Sequence, residues 1–180
     1  MTLSIEVLRA IDSWDWLIYL ASLSILFYLF LKNRKLSSSL VAVLITVVIE
    51  WCMDGYGDFL LGIVAHKDDV EQPHSLTRYA WYYGLAGFNA VLIVAVYQAH
   101  MRLKLTYSYT ARYLITGHFV IGLLLIIRCF EQQSLHSDYL ALAYLWGKMA
   151  IGVSCAGVAL IMAMMAWYKQ RINQMVRGVL

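Results

Sequence analysis

The stretch Ser39–Val64 reads SLVAVLITVVIEWCMDGYGDFLLGIV, and its reading decides what kind of protein this is. Residues 39–49 carry no charge and almost no polar group. A helix on the surface of a soluble domain would need polar residues in every turn, whereas one that is apolar all round belongs in a core or a bilayer. About 20 mainly apolar residues suffice to cross the hydrocarbon layer. Working outward, four further runs of the same character fall at Trp16–Leu31, Tyr79–Ala99, Ala111–Phe130 and Tyr139–Trp167. None alternates as a barrel strand does, so helices are the remaining way to satisfy the backbone inside lipid. Composition agrees: 62% of the 180 residues are hydrophobic and 14% charged, leaving too little polar surface for a soluble domain. The fold expected is an all-α integral membrane protein, a bundle of about five transmembrane helices in a single domain spanning 1–180.

The segments between the runs differ in charge. Lys32, Arg34 and Lys35 follow the first, Arg102 and Lys104 the third with Arg112 just beyond, and Lys169, Arg171 and Arg177 the fifth; no Asp or Glu lies among them. The alternate segments hold Glu6, Asp12, Asp15, Asp68, Asp69, Glu71, Glu131 and Asp138. Cytoplasmic loops carry the Lys/Arg excess, so the N-terminus is expected outside and the C-terminus in the cytoplasm, in a bacterial cytoplasmic (inner) membrane. The acidic Met1–Trp16 segment does not read as a cleaved signal peptide, and the first run is expected to stay as a span. Trp14, Trp16, Tyr79, Trp81, Tyr107, Tyr109, Trp167 and Tyr168 sit where interfacial aromatic belts belong.

Within the second run, Glu50, Asp54 and Asp58 are spaced four apart and share one helix face. Each charge costs about 2.5–3.5 kcal/mol at the bilayer centre on insertion scales, so this stripe is expected to face the bundle or a wet cavity. Depth along the spans offers partners: Lys148 for Asp54, His118 for Glu50, and Arg128 for Asp58, with Asn89 in mid-span and Tyr82 two turns before it. Three carboxylates against Lys148 and Arg128 leave one over. It holds a proton, pairs with protonated His118, or takes a cation from outside. The alternative is a closed ion-pair network that only fixes helix packing.

Asp54-Gly55-Tyr56-Gly57-Asp58 admits two readings: a helix that unwinds to offer carbonyls to a ligand, or a span that ends near Met53 with an outer turn at Gly55–Gly57. Tyr56, Tyr82, Tyr83, Tyr144 and Trp146 are expected to surround the acids, where aromatics suit an organic cation or amine as well as ordinary packing. Gly84, Ala86, Gly87, Ala90, Gly152, Ala156 and Gly157 are read as points of close helix approach. Cys52, Cys129 and Cys155 read as packing residues, a Cys52–Cys129 disulfide being conceivable. Gly152-Val-Ser154-Cys-Ala156 nearly matches the GxSxG elbow but lacks its last glycine and its strand. The acidic loop from His66 to His74 has no metal-ligand spacing. Scattered basic residues exclude nucleic acid as a partner, and no cofactor is expected.

Together these features predict a small membrane transport or ion/proton-conducting protein with an acidic intramembrane site open to the outer face. Its ligand would be a proton, a cation or a small amine. The site residues are Glu50, Asp54, Asp58, Asn89, His118, Arg128 and Lys148, with Tyr56 and Tyr82 at the entrance. The alternative is a non-catalytic subunit, sensor or assembly protein; hydrolysis at His118 is the weakest reading. Five spans do not divide into two inverted halves, so any symmetry would come from a homo-oligomer or a larger membrane complex.

Overall fold

In the computed structural model the chain forms five helices: α1 Thr2–Asn33, α2 Ser38–Ala65, α3 His74–Leu103, α4 Tyr109–Ser134 and α5 Asp138–Gly178. The structure describes residues 2–65, 74–134 and 138–178, and no strand occurs among them. The acidic loop following His66 therefore lies outside the described residues. All five helices are long and apolar enough to cross a membrane. Their exteriors are apolar too: Leu20, Phe27, Leu44, Val48, Val91, Val94, Phe119, Leu123, Ile161 and Met164 all face outward. The buried positions, by contrast, include Ser22, Thr46, Asn89, His100, Thr110 and His118. Apolar residues outside and hydrogen-bonding ones inside suit a lipid solvent.

Short connections make neighbouring helices antiparallel. The end of α1, the start of α2, the end of α3, the start of α4 and the extension of α5 gather at one end, which holds Lys32, Arg34, Lys35, Arg102, Lys104 and Arg112. Helix α2 is the hub, packing against all four of the others. Two devices pin the basic end. The Ser38 hydroxyl lies 2.7 Å from His100 Nε2 and accepts the Ser108 N–H at 2.9 Å, tying the start of α2 to the end of α3 and the start of α4. The His100 ring stacks on Tyr107 at 4.4 Å. Desolvation, then the neighbouring Tyr97, pushes the Tyr107 phenol above its ordinary pKa, so it stays neutral. Helix α5, about 61 Å long for its 41 residues, outruns the hydrocarbon layer. Its extension is fastened to α1 by Lys32 donating to Gln174 at 3.0 Å and Gln170 donating to Asn33 at 2.8 Å.

Two apolar clusters fill the bundle. The larger, around Leu26, Leu40, Val43, Leu92, Val96, Leu114 and Ala159, occupies the half nearer the basic end. The smaller, around Met53, Leu85, Ile121 and Leu125, lies beyond it.

Several local expectations change. Helix α2 is continuous through Gly55-Tyr56-Gly57, neither unwound nor ended at Met53. The flanking apolar residues, Trp51 to Met53 and Phe59 to Ala65, carry the helix through, and the roughly 1 kcal/mol each glycine costs does not break it. Cys52 is exposed and Cys129 buried, and none of the three cysteines is in a disulfide, so no Cys52–Cys129 bridge forms. Gly87 and Ala90 face outward, and a Cβ added at Gly157 would meet nothing within 4 Å, so they set no close approach. Gly84 does: a Cβ there would run into the Tyr56 ring, and Gly117 is likewise closed by the Cys155 sulfur.

Candidate functional site

Between the smaller cluster and the acidic face of α2 lies a cavity of about 500 Å³ to which all five helices contribute. Helix α2 supplies Glu50, Asp54 and Asp58, which a continuous helix stacks at about 6 Å per four residues. Helix α3 supplies Asn89, α4 supplies His118, and α5 supplies Lys148; Trp16 comes from α1. The opposite wall is apolar, built from Leu85, Ile121, Leu125 and Met149.

Exposure falls along the α2 stripe. Asp58 and Asp54 are exposed, the Glu50 side chain is 29% exposed, and that of His118 only 2%. The cavity thus runs from an exposed mouth to a buried end. Asp54 Oδ2 accepts the Trp16 indole N–H at 2.8 Å. At the buried end Asn89 Nδ2 donates to the Leu85 carbonyl at 2.8 Å, which turns Asn89 Oδ1 toward His118 Nδ1 at 2.9 Å. Because Oδ1 only accepts, the network assigns the proton to Nδ1. His118 Nε2 is then a lone-pair acceptor in the neutral ring. It is buried without a hydrogen-bond partner, and Glu50 Oε1 stands 3.7 Å away, beyond hydrogen-bonding range. Nε2 is thus a buried lone-pair acceptor that faces the Glu50 carboxylate.

Five of the residues singled out by depth and spacing, Glu50, Asp54, Asn89, His118 and Lys148, converge on this cavity, and Asp58 joins them at the mouth. Three do not line it. Arg128 pairs with Glu131 one turn further along α4 rather than with Asp58. Glu131 itself is buried in α4 and is not a loop residue. Proximity within one helix wins because the i,i+3 partner needs no interhelical fit. Tyr56 turns into the α2–α3 seam, donating to the Ala80 carbonyl at 2.7 Å and packing on Phe88. Tyr82 packs edge-on against Tyr144. Tyr83 and Trp146 are exposed on the bundle exterior. Lys148 lines the cavity as expected, yet among the described residues it forms no ion pair with Asp54 or any other carboxylate.

Residues that sequence reading left in other roles also belong here. Trp16 was assigned to the interfacial belt, and Trp81 likewise, although both line the cavity. A tryptophan at a span margin gives no sign that its N–H reaches an acid 38 residues away. Ser154 donates to its own helix at Ile151, as a packing serine does.

No family model matches this chain, and no curated protein or solved structure is significantly similar to it.

Proposed function

We propose that this chain is a small membrane transport or cation/proton-conducting protein whose acidic cavity opens to the outer face. One observation carries the proposal: the buried, unpartnered Nε2 of His118 aimed at Glu50 at the buried end of an acid-lined cavity. A proton, cation or protonated amine arriving there would meet the bare Nε2 lone pair beside a carboxylate. The Lys/Arg bias of the loops at one end supports an orientation with that end in the cytoplasm, and we take the membrane to be a bacterial inner membrane. The N-terminus and the cavity mouth then face outward. The larger apolar cluster and the Ser38–His100 pin close the route toward the basic end. In this reading the cavity is the outward-open state, and its inner half would have to part for transport, alone or in a homo-oligomer.

Neutralising Glu50→Gln or Asp54→Asn is expected to abolish proton or cation flux in proteoliposomes while leaving the protein folded and helical. Full flux in both variants would remove the proposal.

The second reading is an assembly or sensor subunit held by a closed polar network, and the Asn89–His118 bond between α3 and α4 favours it. Lys148 separates the two. Breaking a closed, buried ion pair costs about 3–5 kcal/mol. Lys148, which forms no ion pair among the described residues, instead leads us to expect a loss under about 1 kcal/mol for Lys148→Met, measured by thermal unfolding in detergent.

A further inference from the structure

We propose that the buried end of the cavity binds a proton, taken at His118 Nε2 from the outer solution, and that the imidazolium so formed fastens α4 to α2 through Glu50. This rests on the transport reading above and narrows its ligand to a proton.

The ring can accept at one place only. Nδ1 is held as a donor to Asn89 Oδ1, so the available lone pair is that of Nε2, buried and without a hydrogen-bond partner. In the imidazolium both N–H groups face an acceptor, Nδ1 facing Asn89 Oδ1 at 2.9 Å and Nε2 facing Glu50 Oε1 at 3.7 Å. The second separation is already that of an ion pair, so the new charge is met with the helices where they stand. Glu50 has a further interaction of its own. A carboxylate offers about four acceptor sites, which leaves room for the imidazolium beside it.

The groups around the ring decide what holds its charge. Among the described residues lining the same cavity, α2 presents Glu50 and Asp54, α1 presents Tyr19, and α5 presents Lys148 and Cys155. Helix α3 presents Asn89, which does not titrate. Of the described carboxylates, Glu50 alone stands within 4.0 Å of the ring. An opposite charge within about 4–6 Å supports the charged ring against the cost of burial, so proton binding depends on Glu50.

A metal ion suits this end less well. Among the described residues no three His, Cys, Asp or Glu side chains come close enough to hold one. A proton adds no volume where the His118 side chain is only 2% exposed. Its way in is the acidic stripe of α2, whose exposure rises from Glu50 to Asp54 and Asp58. Hydronium from the outer solution is the donor: its O–H bond breaks, the Nε2 lone pair forms the new N–H bond, and water is left. The reverse step restores the neutral ring. The bound proton joins α2 to an α3–α4 pair that Asn89 already holds together.

The test is 15N NMR of the full chain in lipid nanodiscs, its histidine rings labelled, with His118 assigned by the signals that His118→Gln removes. Between about pH 8 and about pH 4 the ring is expected to pass from the neutral Nδ1–H form to the imidazolium. Glu50→Gln is expected to weaken proton binding at least about tenfold, and Glu50→Asp, which keeps the charge, to retain most of it. A ring that stays neutral throughout, or one that titrates identically in Glu50→Gln, would overturn the inference. Potassium flux into proteoliposomes at constant pH separates this from the transport reading. If the ring does not titrate but Glu50-dependent potassium flux persists, transport stands with another ligand. Absence of ring protonation together with absence of proton and potassium flux would overturn both.

Discussion

At His118 a proton is positioned by a carbonyl the ring never touches. The Leu85 carbonyl takes the Asn89 amide N–H, Asn89 Oδ1 is thereby turned to His118 Nδ1, and Nε2 is left bare toward Glu50. Asn89 is thus a positioning residue. Asn89→Leu leaves Nδ1 buried without an acceptor, and the expected loss is about 1–3 kcal/mol in thermal or denaturant unfolding. Ring 15N chemical shifts should also show the Nδ1–H tautomer in the parent chain and a mixture in the variant. The His118–Glu50 approach was legible in the sequence, since mid-span polar residues have few places to go but toward each other. The Trp16–Asp54 hydrogen bond was not. Depth along a helix says how far in a residue lies but not which way it points, and the same blindness allowed Arg128 to be matched to Asp58. Arg128 found Glu131 on its own helix because that carboxylate, also taken for a loop residue, lies within α4.

For the helices, the informative case is α2. Its glycines suggested a break, yet Ser38–Ala65 is one helix, and that continuity keeps Glu50, Asp54 and Asp58 on one face. Composition alone could not choose between a break and a continuous helix, because a glycine's cost of about 1 kcal/mol is small against the packing of a span. Gly57 lies 3.5 Å from the Trp81 ring by where its Cβ would stand, an ordinary contact, while Gly55 has nothing within 4 Å. Gly55→Ala is therefore expected to stabilise the helix by about 0.5–1 kcal/mol and leave flux intact. A flux-dead Gly55→Ala protein that is more stable would mean the helix unwinds in the working cycle. The ends of α1 and α3 were not readable either. Arg34 and Lys104 close them with φ of 54° and 52°, the left-handed region usually left to glycine. Here basic residues take the place, where their charge also favours a helix C-terminus.

Across the whole molecule, span number and antiparallel order followed from hydropathy and charge, because lipid forces every span to be helical and long. How the five helices surround a cavity did not follow, since that depends on which faces meet. The central claim is that the acids of α2 line water open to one side while the neighbouring face of the same helix meets lipid. Val48, six residues before Asp54, is exposed on the apolar exterior. The most direct test replaces Cys52, Cys129 and Cys155 with serine or alanine, adds single cysteines at Asp54 or Val48, and treats sealed vesicles of known sidedness with a charged, membrane-impermeant thiol reagent. Asp54→Cys is expected to label from the outer face alone, and Val48→Cys from neither. An Asp54→Cys thiol unreactive from the outside, or no more reactive than the one at Val48, would contradict an open acidic cavity.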